Sequence, residues 1–248
     1  MILNGDKMEI FDEAVNLLNS GNFSKTIALI SNFLDENPQY KTIDYYHFSN
    51  PIEEILFDVY IGKIDEVKTL NLEENLDEIY HVYSIAFGAS GDIENAERYL
   101  KIANQINPVS CPILMQLCEH YQSKNEEHEI KDFALDIMKY TYDSELLKSA
   151  YFKLADYYYH TNQEMELYDH LLSFFMQLKA GESMGNPSED RKYLEEHDVQ
   201  VGFNPEVIQI LLYLIDVHTQ QGFESTTAYF KNILGEIIEF TNSLNELR

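Results

Sequence analysis

The chain has 248 residues, 45% hydrophobic and 13% aromatic, which is enough apolar material for one or two folded domains and too much for a disordered chain. Its 43 acidic and 17 basic residues give a formal net charge of −26. Because such a charge repels nucleic-acid phosphates and anionic lipid surfaces, neither nucleic acid nor a membrane is expected as a partner. The charge serves solubility alone or also attracts a basic ligand, and the sequence leaves both readings open.

The N-terminal stretch MILNGDKMEIFDEAV has no basic leader followed by an apolar run, which is the pattern of a secretory signal peptide. No segment approaches about 18 uninterrupted apolar residues, the length that a membrane-spanning helix needs. We therefore expect a cytoplasmic protein.

The first predicted element is a pair of helices joined by a turn at Gly21. Ala14 and Leu17 precede the turn on the first helix, Phe23 begins the second helix, and Pro38 ends it. The next segment, PIEEILFDVYIGKIDEVKTL, predicts a clear first helix, a turn at Gly62 and a shortened second helix. The boundaries between residues 40 and 75 stay open.

The stretch GDIENAERYLKIANQINP, residues 91 to 108, has the stop signals of a helix on both sides. Gly91 can adopt positive φ without a Cβ clash, Asp92 follows it in an N-capping position, and Pro108 ends the helix. Small residues are predicted where two helices approach closely and aromatic residues where they leave space. The positions with this pattern are Tyr80, Tyr83, Ser84, Phe87, Ala96, Leu100 and Ala103.

Two further helical pairs are predicted at residues 112 to 142 and 151 to 174. Their turns fall on Asn125 and Asn162 in place of glycine, and Asn tolerates the left-handed conformation that such a turn requires. The apolar rhythm then stops, and residues 179 to 204 are predicted to be an insertion with one short helix around Arg191. Pro205 opens a final helical hairpin, residues 205 to 248, with its turn predicted at Gly222. Its last helix is predicted to cap the structure.

The two cysteines, Cys111 and Cys118, are seven residues apart. On one helix this spacing separates them by about 10 Å, which is beyond disulfide reach, so they are predicted to be buried small side chains. Of possible zinc ligands, only His120 and His128 lie nearby, and neither has the spacing of a zinc site. The sequence therefore predicts no metal and no cofactor.

The intervals between the positions around residues 80 to 108 match the W-x2-L-G-x2-Y, A-x3-F and terminal proline signature of the tetratricopeptide repeat. Over most of its length the chain resembles this family, with about three convincing copies and three degenerate ones. The resemblance implies an all-α fold, an α-α superhelix of five to six hairpins, in which residues 1 to 178 form the main array. It also implies a concave groove built mainly from the first helix of each pair.

In this family the groove is lined by the second, fifth, ninth and twelfth positions of each repeat. The resemblance places the candidate ligand-binding residues of this chain at Phe11, Val15, Ile52, Leu56, His81, Ile85, Met115, Glu119, Phe152, Asp156 and Tyr159.

These positions are apolar and acidic, whereas chaperone-binding members of the family use Lys, Arg and Asn to hold an acidic peptide. A chaperone-tail clamp is therefore disfavoured, and a protein or peptide with an apolar face and some basic residues fits better. The competing interpretation is that residues such as Phe11, Met115, Phe152 and Tyr159 belong to the core, as aromatic and Met stripes at helical spacing usually do.

The sequence does not predict an enzyme. The polar groups CEHY at 118 to 121, YYYH at 157 to 160 and the acidic cluster at 126 to 129 lack a nucleophile with a positioned base. No glycine-rich phosphate loop, HExxH or GxSxG motif is present. Three functional classes follow: a protein-binding adaptor or scaffold, which is favoured; a peptide-sensing regulator that acts through another protein; and an oligomer-assembly protein or unrecognised enzyme. The oligomeric state is left open.

Overall fold

A computed structural model describes residues 6–63, 68–69, 76–180 and 186–246 of the chain. Within these ranges the regular structure consists of twelve α-helices and two short 3-10 helices, with one isolated bridge between Tyr46 and Thr69. The predicted all-α class is therefore confirmed. The chain divides into two compact units, Met1–Ile113 and Leu114–Arg248.

The first unit contains two long helical hairpins, and a segment with one shorter helix lies between them in the sequence. The first hairpin packs against the second through both of its helices, and the first helix of each hairpin contacts that of the other. The helices are α1 (Asp6–Asn19), α2 (Phe23–Glu36), α3 (Pro51–Tyr60), α4 (Leu76–Ala89) and α5 (Ile93–Ile106).

The second unit contains the remaining helices, of which α8 is central because it packs against α7, α9 and α12. The shorter helix α10 packs on α9, and the last two helices form a hairpin. The helices are α6 (Cys111–Lys124), which enters this unit at Leu114, α7 (Ile130–Tyr140), α8 (Ser144–Thr161), α9 (Met165–Ala180), α10 (Pro187–Glu196), α11 (Pro205–Gln221) and α12 (Glu224–Glu246).

The hairpin turns contain left-handed residues at five of the six predicted positions. Glycines 21, 91 and 222 have φ values of 71°, 88° and 77°, and asparagines 125 and 162 have φ values of 56° and 52°. Each lies where one helix stops and the next one begins, because positive φ reverses the chain within two or three residues. The prediction that asparagine replaces glycine at two turns is confirmed.

The hairpin of α4 and α5 shows why the sequence alternates small and large residues. A Cβ placed on Gly88 would lie 3.6 Å from the Cβ of Ala96, so the two helices approach most closely at a pair of small residues. Beside this crossing, the ring of Tyr99 lies 4.3 Å from that of Tyr83 and 5.4 Å from that of Phe87, measured between centroids. Asp92 caps α5 by accepting a hydrogen bond from the amide of Asn95, as predicted.

The predicted hairpin around Gly62 is corrected in part. Its first helix exists as α3, which ends at Tyr60. The next residue, Ile61, is right-handed, and Gly62 does not adopt positive φ. Helix α2 packs directly on α4, so α3 does not separate the two hairpins. The shortened second helix predicted after Gly62 lies mostly outside the described residues.

A buried polar cluster attaches α3 to the α4/α5 hairpin. The Nδ2 atom of Asn107 lies 2.9 Å from a carboxylate oxygen of Glu53 and 2.8 Å from one of Asp77. Asp77 also contacts the Nδ1 atom of His47 at 2.5 Å and the hydroxyl of Ser49 at 3.2 Å. The amide of Ser49 donates to Glu53 at 2.8 Å. These bonds satisfy two carboxylates that have almost no contact with solvent, which fixes residues 47–53 against the hairpin.

Burial raises the pKa of Glu53 to about 7, because desolvation disfavours its charged form; the hydrogen bond from Asn107 opposes this effect and the negative charge of Asp77 adds to it. The pKa of Glu78 is also raised, first by burial and then by Asp77. The folded state therefore binds a proton at Glu53 more tightly than the unfolded chain does. Its contribution to stability is present below about pH 4.5 and is lost as the pH rises toward 7.

The segment predicted to be an insertion, residues 179 to 204, is an integral part of the second unit where it is described. The predicted short helix is confirmed as α10, which contains Arg191. The buried carboxylate of Asp190 accepts hydrogen bonds from Ser173 at 2.7 Å and Gln177 at 2.6 Å and lies 2.7 Å from the Nδ1 atom of His170. All three partners are on α9, so this carboxylate anchors α10 to that helix.

The chain after α10 is held by a second set of hydrogen bonds. The hydroxyl of buried Tyr151 donates to the carbonyl of Gln200 at 2.7 Å and accepts from the amide of Gly202 at 2.9 Å. The side chain of Gln200 donates to the carbonyl of Met138, and that of Asn204 donates to the carbonyl of Lys139, both at 2.8 Å. Carbonyl groups at the end of α7 thereby gain donors that the helix itself does not supply.

Both cysteines are free and buried, as predicted, and burial raises the pKa of the Cys118 thiol to about 12. In the part of the chain that the structure describes, no helix is both long and apolar enough to cross a membrane.

Replacing Gly91 by Ala tests the left-handed turn. No atom lies within 4 Å of a Cβ built on Gly91, so the cost arises from its φ of 88° alone. We expect a loss of about 1 kcal/mol in the free energy of unfolding. In helix α12 the matched change Gly235→Ala, which also meets no atom within 4 Å, should instead stabilise the protein by up to about 1 kcal/mol. Urea denaturation followed by circular dichroism measures both, and equal effects of the two variants would contradict the role of the turn.

Replacing Glu53 by Gln tests the buried cluster. The amide oxygen of glutamine accepts the bonds from Ser49 and Asn107 without carrying a charge. At pH 5 we expect the parent chain and Glu53→Gln to have similar free energies of unfolding. At pH 8 we expect Glu53→Gln to be more stable than the parent chain by at most about 3 kcal/mol. The measurement is a series of urea denaturations between pH 4.5 and 8. A parent chain and a variant with parallel pH profiles would show that Glu53 is ionised in the folded state throughout.

Candidate functional site

The candidate site in the second unit lies where α6 and α8 run beside each other. The side-chain amide of Gln122 on α6 donates to Asp156 on α8, and the ammonium group of Lys153 on α8 contacts the amide oxygen of Gln122. Two of the predicted groove residues, Glu119 and Asp156, therefore belong to neighbouring helices that are joined by a polar bridge. Glu119 is exposed and Met115 is half-buried.

Two pairs of aromatic rings lie on α8 and α9 with matching spacing. Phe152 pairs with Phe175 at 5.1 Å, and Tyr159 pairs with Tyr168 at 5.3 Å, measured between ring centroids. On each helix the two aromatic residues are seven positions apart, which is about 10.5 Å along the helix axis. The residues form matching pairs because the two helices are antiparallel. The side chains of Phe152 and Tyr159 are 39% and 55% exposed. Tyr168 and Phe175 are half-buried, so Phe152 and Tyr159 form the exposed part of the two pairs.

Asp156 lies between the two aromatic pairs in the sequence of α8. It is half-buried, and its second carboxylate oxygen lies 3.4 Å from the Nε2 atom of His160. Acidic, amide and imidazole groups thus line the surface between Phe152 and Tyr159. We name the surface formed by Glu119, Gln122, Asp156 and the two aromatic pairs the α8 face.

Sequence reasoning missed one lysine beside the α8 face and two residues of the face itself. Lys153 places a cation beside the α8 face, whereas none of the candidate positions holds a Lys or Arg. The contact of Lys153 with Gln122 depends on how α6 lies beside α8. Tyr168 and Phe175 on α9 were also missed. Their seven-residue spacing repeats that of Phe152 and Tyr159, which is the signal in the sequence that would have found them.

In the first unit, the predicted residues of α1 and α4 are brought onto packed helices. Phe11 and Val15 on α1 and His81 and Ile85 on α4 are all half-buried, and α1 packs against α4. Each of these four side chains is therefore partly packed against a neighbouring helix and partly accessible to solvent.

Two predicted groove residues are corrected. Ile52 and Leu56 on α3 are both 0% exposed, so they are core residues and no ligand reaches them in this structure. The reason is that α3 does not lie between the two long hairpins, since α2 packs directly on α4. Helix α3 buries its apolar side against the unit, where the Phe57 ring contacts the rings of Tyr46 at 4.6 Å and Phe48 at 5.1 Å.

His81 has the most perturbed environment among the predicted site residues. Its Nε2 atom is buried and has no hydrogen-bond partner within the described residues. Desolvation lowers the pKa of its ring to about 4, although the negative charge of Asp77 acts in the opposite direction. The ring is therefore neutral at physiological pH.

The described residues include a buried thiol as well as several carboxylates and imidazoles. The Cys118 thiol lies 3.9 Å from the carbonyl of Ile130 and is protonated at neutral pH, which makes it a poor nucleophile. Among the described residues, no group of three or more His, Cys, Asp and Glu side chains is placed to hold a metal ion.

Comparison with known proteins gives no relative: no family model, curated protein or solved structure matches this chain. The function must therefore be argued from the geometry.

Replacing His81 by Leu tests the unpaired ring nitrogen. Removing a buried polar atom without a partner should stabilise the protein by about 1 kcal/mol at pH 7. The folded-state pKa is lowered, so the parent chain loses stability as the pH falls from about 6.5 to about 4, and the advantage of His81→Leu should grow in that window.

Urea denaturation at pH 7, 6 and 5 measures this effect, with His128→Leu, which removes an exposed histidine, as the control. Destabilisation of His81→Leu at every pH would contradict the prediction, because it would show that the imidazole makes a favourable contact.

Proposed function

We propose that this chain is an adaptor of the tetratricopeptide-repeat type that binds a peptide or helix of a protein partner on the exposed faces of its first helices. The hairpins with left-handed turns, the small-residue crossing at Gly88 and Ala96, and the direct packing of α1 on α4 all support repeat-like stacking. A stack of this kind is not catalytic by itself. It presents helix faces on a rigid support.

The observation that carries the proposal is the α8 face with its two aromatic pairs, each of which has one exposed ring on α8. Aromatic side chains bury a large area at a small cost in conformational entropy, which is why they dominate binding energy at protein interfaces. Phe152 and Tyr159 are held by ring contacts with α9, so they are already ordered before a partner binds.

Charge determines the kind of partner that this face accepts. Glu119 and Asp156 are acidic, and the whole chain has a net charge of −26. A partner with Lys or Arg between apolar side chains is attracted at long range and finds carboxylates at the site. An acidic partner is repelled.

Selection from a displayed library of random peptides tests the proposal. We expect the selected peptides to combine apolar residues with Lys or Arg. Binding of one synthesised peptide, measured by fluorescence anisotropy, should weaken about tenfold in Phe152→Ala and in Tyr159→Ala, because each truncation removes a ring from the interface. Affinity should also fall between 50 and 300 mM salt.

The matched control is Tyr213→Ala on α11, which removes a ring that is 59% exposed and lies outside the α8 face. It should leave the affinity unchanged. Peptides that bind all three variants as tightly as the parent chain, or a library that yields no binder, would refute the proposal.

A further inference from the structure

The hairpin of α11 and α12 has one side on which both helices present residues to solvent. Thr219 on α11 and Ala228 and Lys231 on α12 line the same space beside the turn, so they mark this side. At steps of three or four residues it continues along both helices. We name it the hairpin face, and its residues are Ile208, Leu212 and Ile215 on α11 and Lys231, Gly235 and Ile238 on α12. It contains no residue of the α8 face.

The apolar side chains of the hairpin face are accessible to solvent. Leu212 is 46% exposed and Ile238 is 51% exposed, while Ile208 and Ile215 are half-buried. Four aliphatic side chains on one side of a two-helix hairpin are therefore at least partly uncovered.

In the middle of this face, α12 has a glycine that the chain itself does not require. A Cβ built on Gly235 meets no atom within 4 Å, and Gly235 does not adopt positive φ. Glycine inside a helix is less favourable than alanine. It does allow the backbone of another helix to come close, as Gly88 does beside Ala96 within the α4/α5 hairpin. Gly235 therefore indicates a close approach of another helix at this point.

The hairpin face is complementary to itself about a two-fold axis. Leu212 is nine residues from the end of α11 and Gly235 is eleven residues from the start of α12, so the two lie within about 3 Å of the same height along the hairpin. An axis at this height places each of these residues opposite its counterpart in a second, antiparallel hairpin. Ile208 of one copy then comes beside Ile215 of the other.

Charge favours the same arrangement. In an antiparallel pair of α12 helices centred on Gly235, the residue four positions before the glycine meets the residue four positions after it. These residues are Lys231 and Glu239, both exposed, so the symmetry forms two opposite-charge pairs. At the ends of the helix Glu224 comes near Glu246, outside the apolar part, where salt screens the like charges.

The area of the hairpin face is sufficient for a dimer. Helix α11 has 17 residues, so the face is about 25 Å long, and two packed helices are about 20 Å wide. A second hairpin laid on it covers about 500 Å² on each copy, or about 1,000 Å² in total, which is near the lower limit for a specific interface.

We propose that a second copy of this chain covers the hairpin face, with the two α12 helices antiparallel and crossing at Gly235. The net charge of −26 on each copy opposes association at long range. The dimer therefore forms at physiological salt, where charges interact over about 8 Å.

Sedimentation equilibrium of the full chain at about 150 mM salt tests the dimer. We expect a dissociation constant on the order of 1 to 100 µM, as an interface of this size allows. Gly235→Leu should weaken the dimer at least about tenfold, because the new side chain separates the two helices. The matched control is Ser243→Leu, an exposed position of α12 that lies about 80° further around the helix and should leave the dimer unchanged. Urea denaturation checks that both variants fold.

Reversing the charges separates the specific pairs from the general repulsion. Lys231→Glu and Glu239→Lys should each weaken the dimer about tenfold, because either change turns both pairs from attractive to repulsive. The double variant, which carries both changes, should restore the parent affinity. Net charge alone gives opposite signs for the two single variants, since Lys231→Glu makes the chain more negative and Glu239→Lys makes it less negative.

A chain that is still monomeric at about 1 mM would overturn the proposal. So would a Glu239→Lys variant that dimerises as tightly as the parent chain or more tightly, and so would a dimer that Gly235→Leu leaves unchanged, because its interface would lie elsewhere.

Discussion

The structure depends on reversing the chain between antiparallel helices within two or three residues. A helix can be followed so closely by its neighbour only when the linking residue adopts positive φ, which costs energy for every residue except glycine and, to a smaller extent, asparagine. Gly91 and Asn162 illustrate the two solutions. Because neither helix of a hairpin has enough apolar surface to be stable alone, the short turn also determines which helix faces are buried together and which are left to solvent.

The segments that do not follow the hairpin pattern are attached by buried polar groups. Glu53 and Asp77 fix α3 and the chain before it, and Asp190 fixes α10. Helices α3 and α10 have only ten residues each, so hydrogen bonds to a carboxylate add to a small apolar contact and give them a defined position. The difference between the two anchors is chemical, since Glu53 has a pKa near neutrality and introduces a dependence on pH into the first unit.

The α8 face of the second unit combines exposed aromatic rings with carboxylates, which is why a cationic protein segment is the proposed partner. The net charge of −26 over the whole chain acts in the same direction at long range.

The sequence by itself determined the helical class, the paired helices and the left-handed turns, because apolar spacing and Gly or Asn at the turns are local properties. It also placed Phe152 and Tyr159 among the candidate residues, through the groove positions that the resemblance to the tetratricopeptide repeat implies. Only the tertiary structure decided that Ile52 and Leu56 are buried and that Lys153 lies beside Gln122. These outcomes depend on which helix packs against which, and that choice is made by contacts between residues far apart in the chain, where a local pattern carries no information.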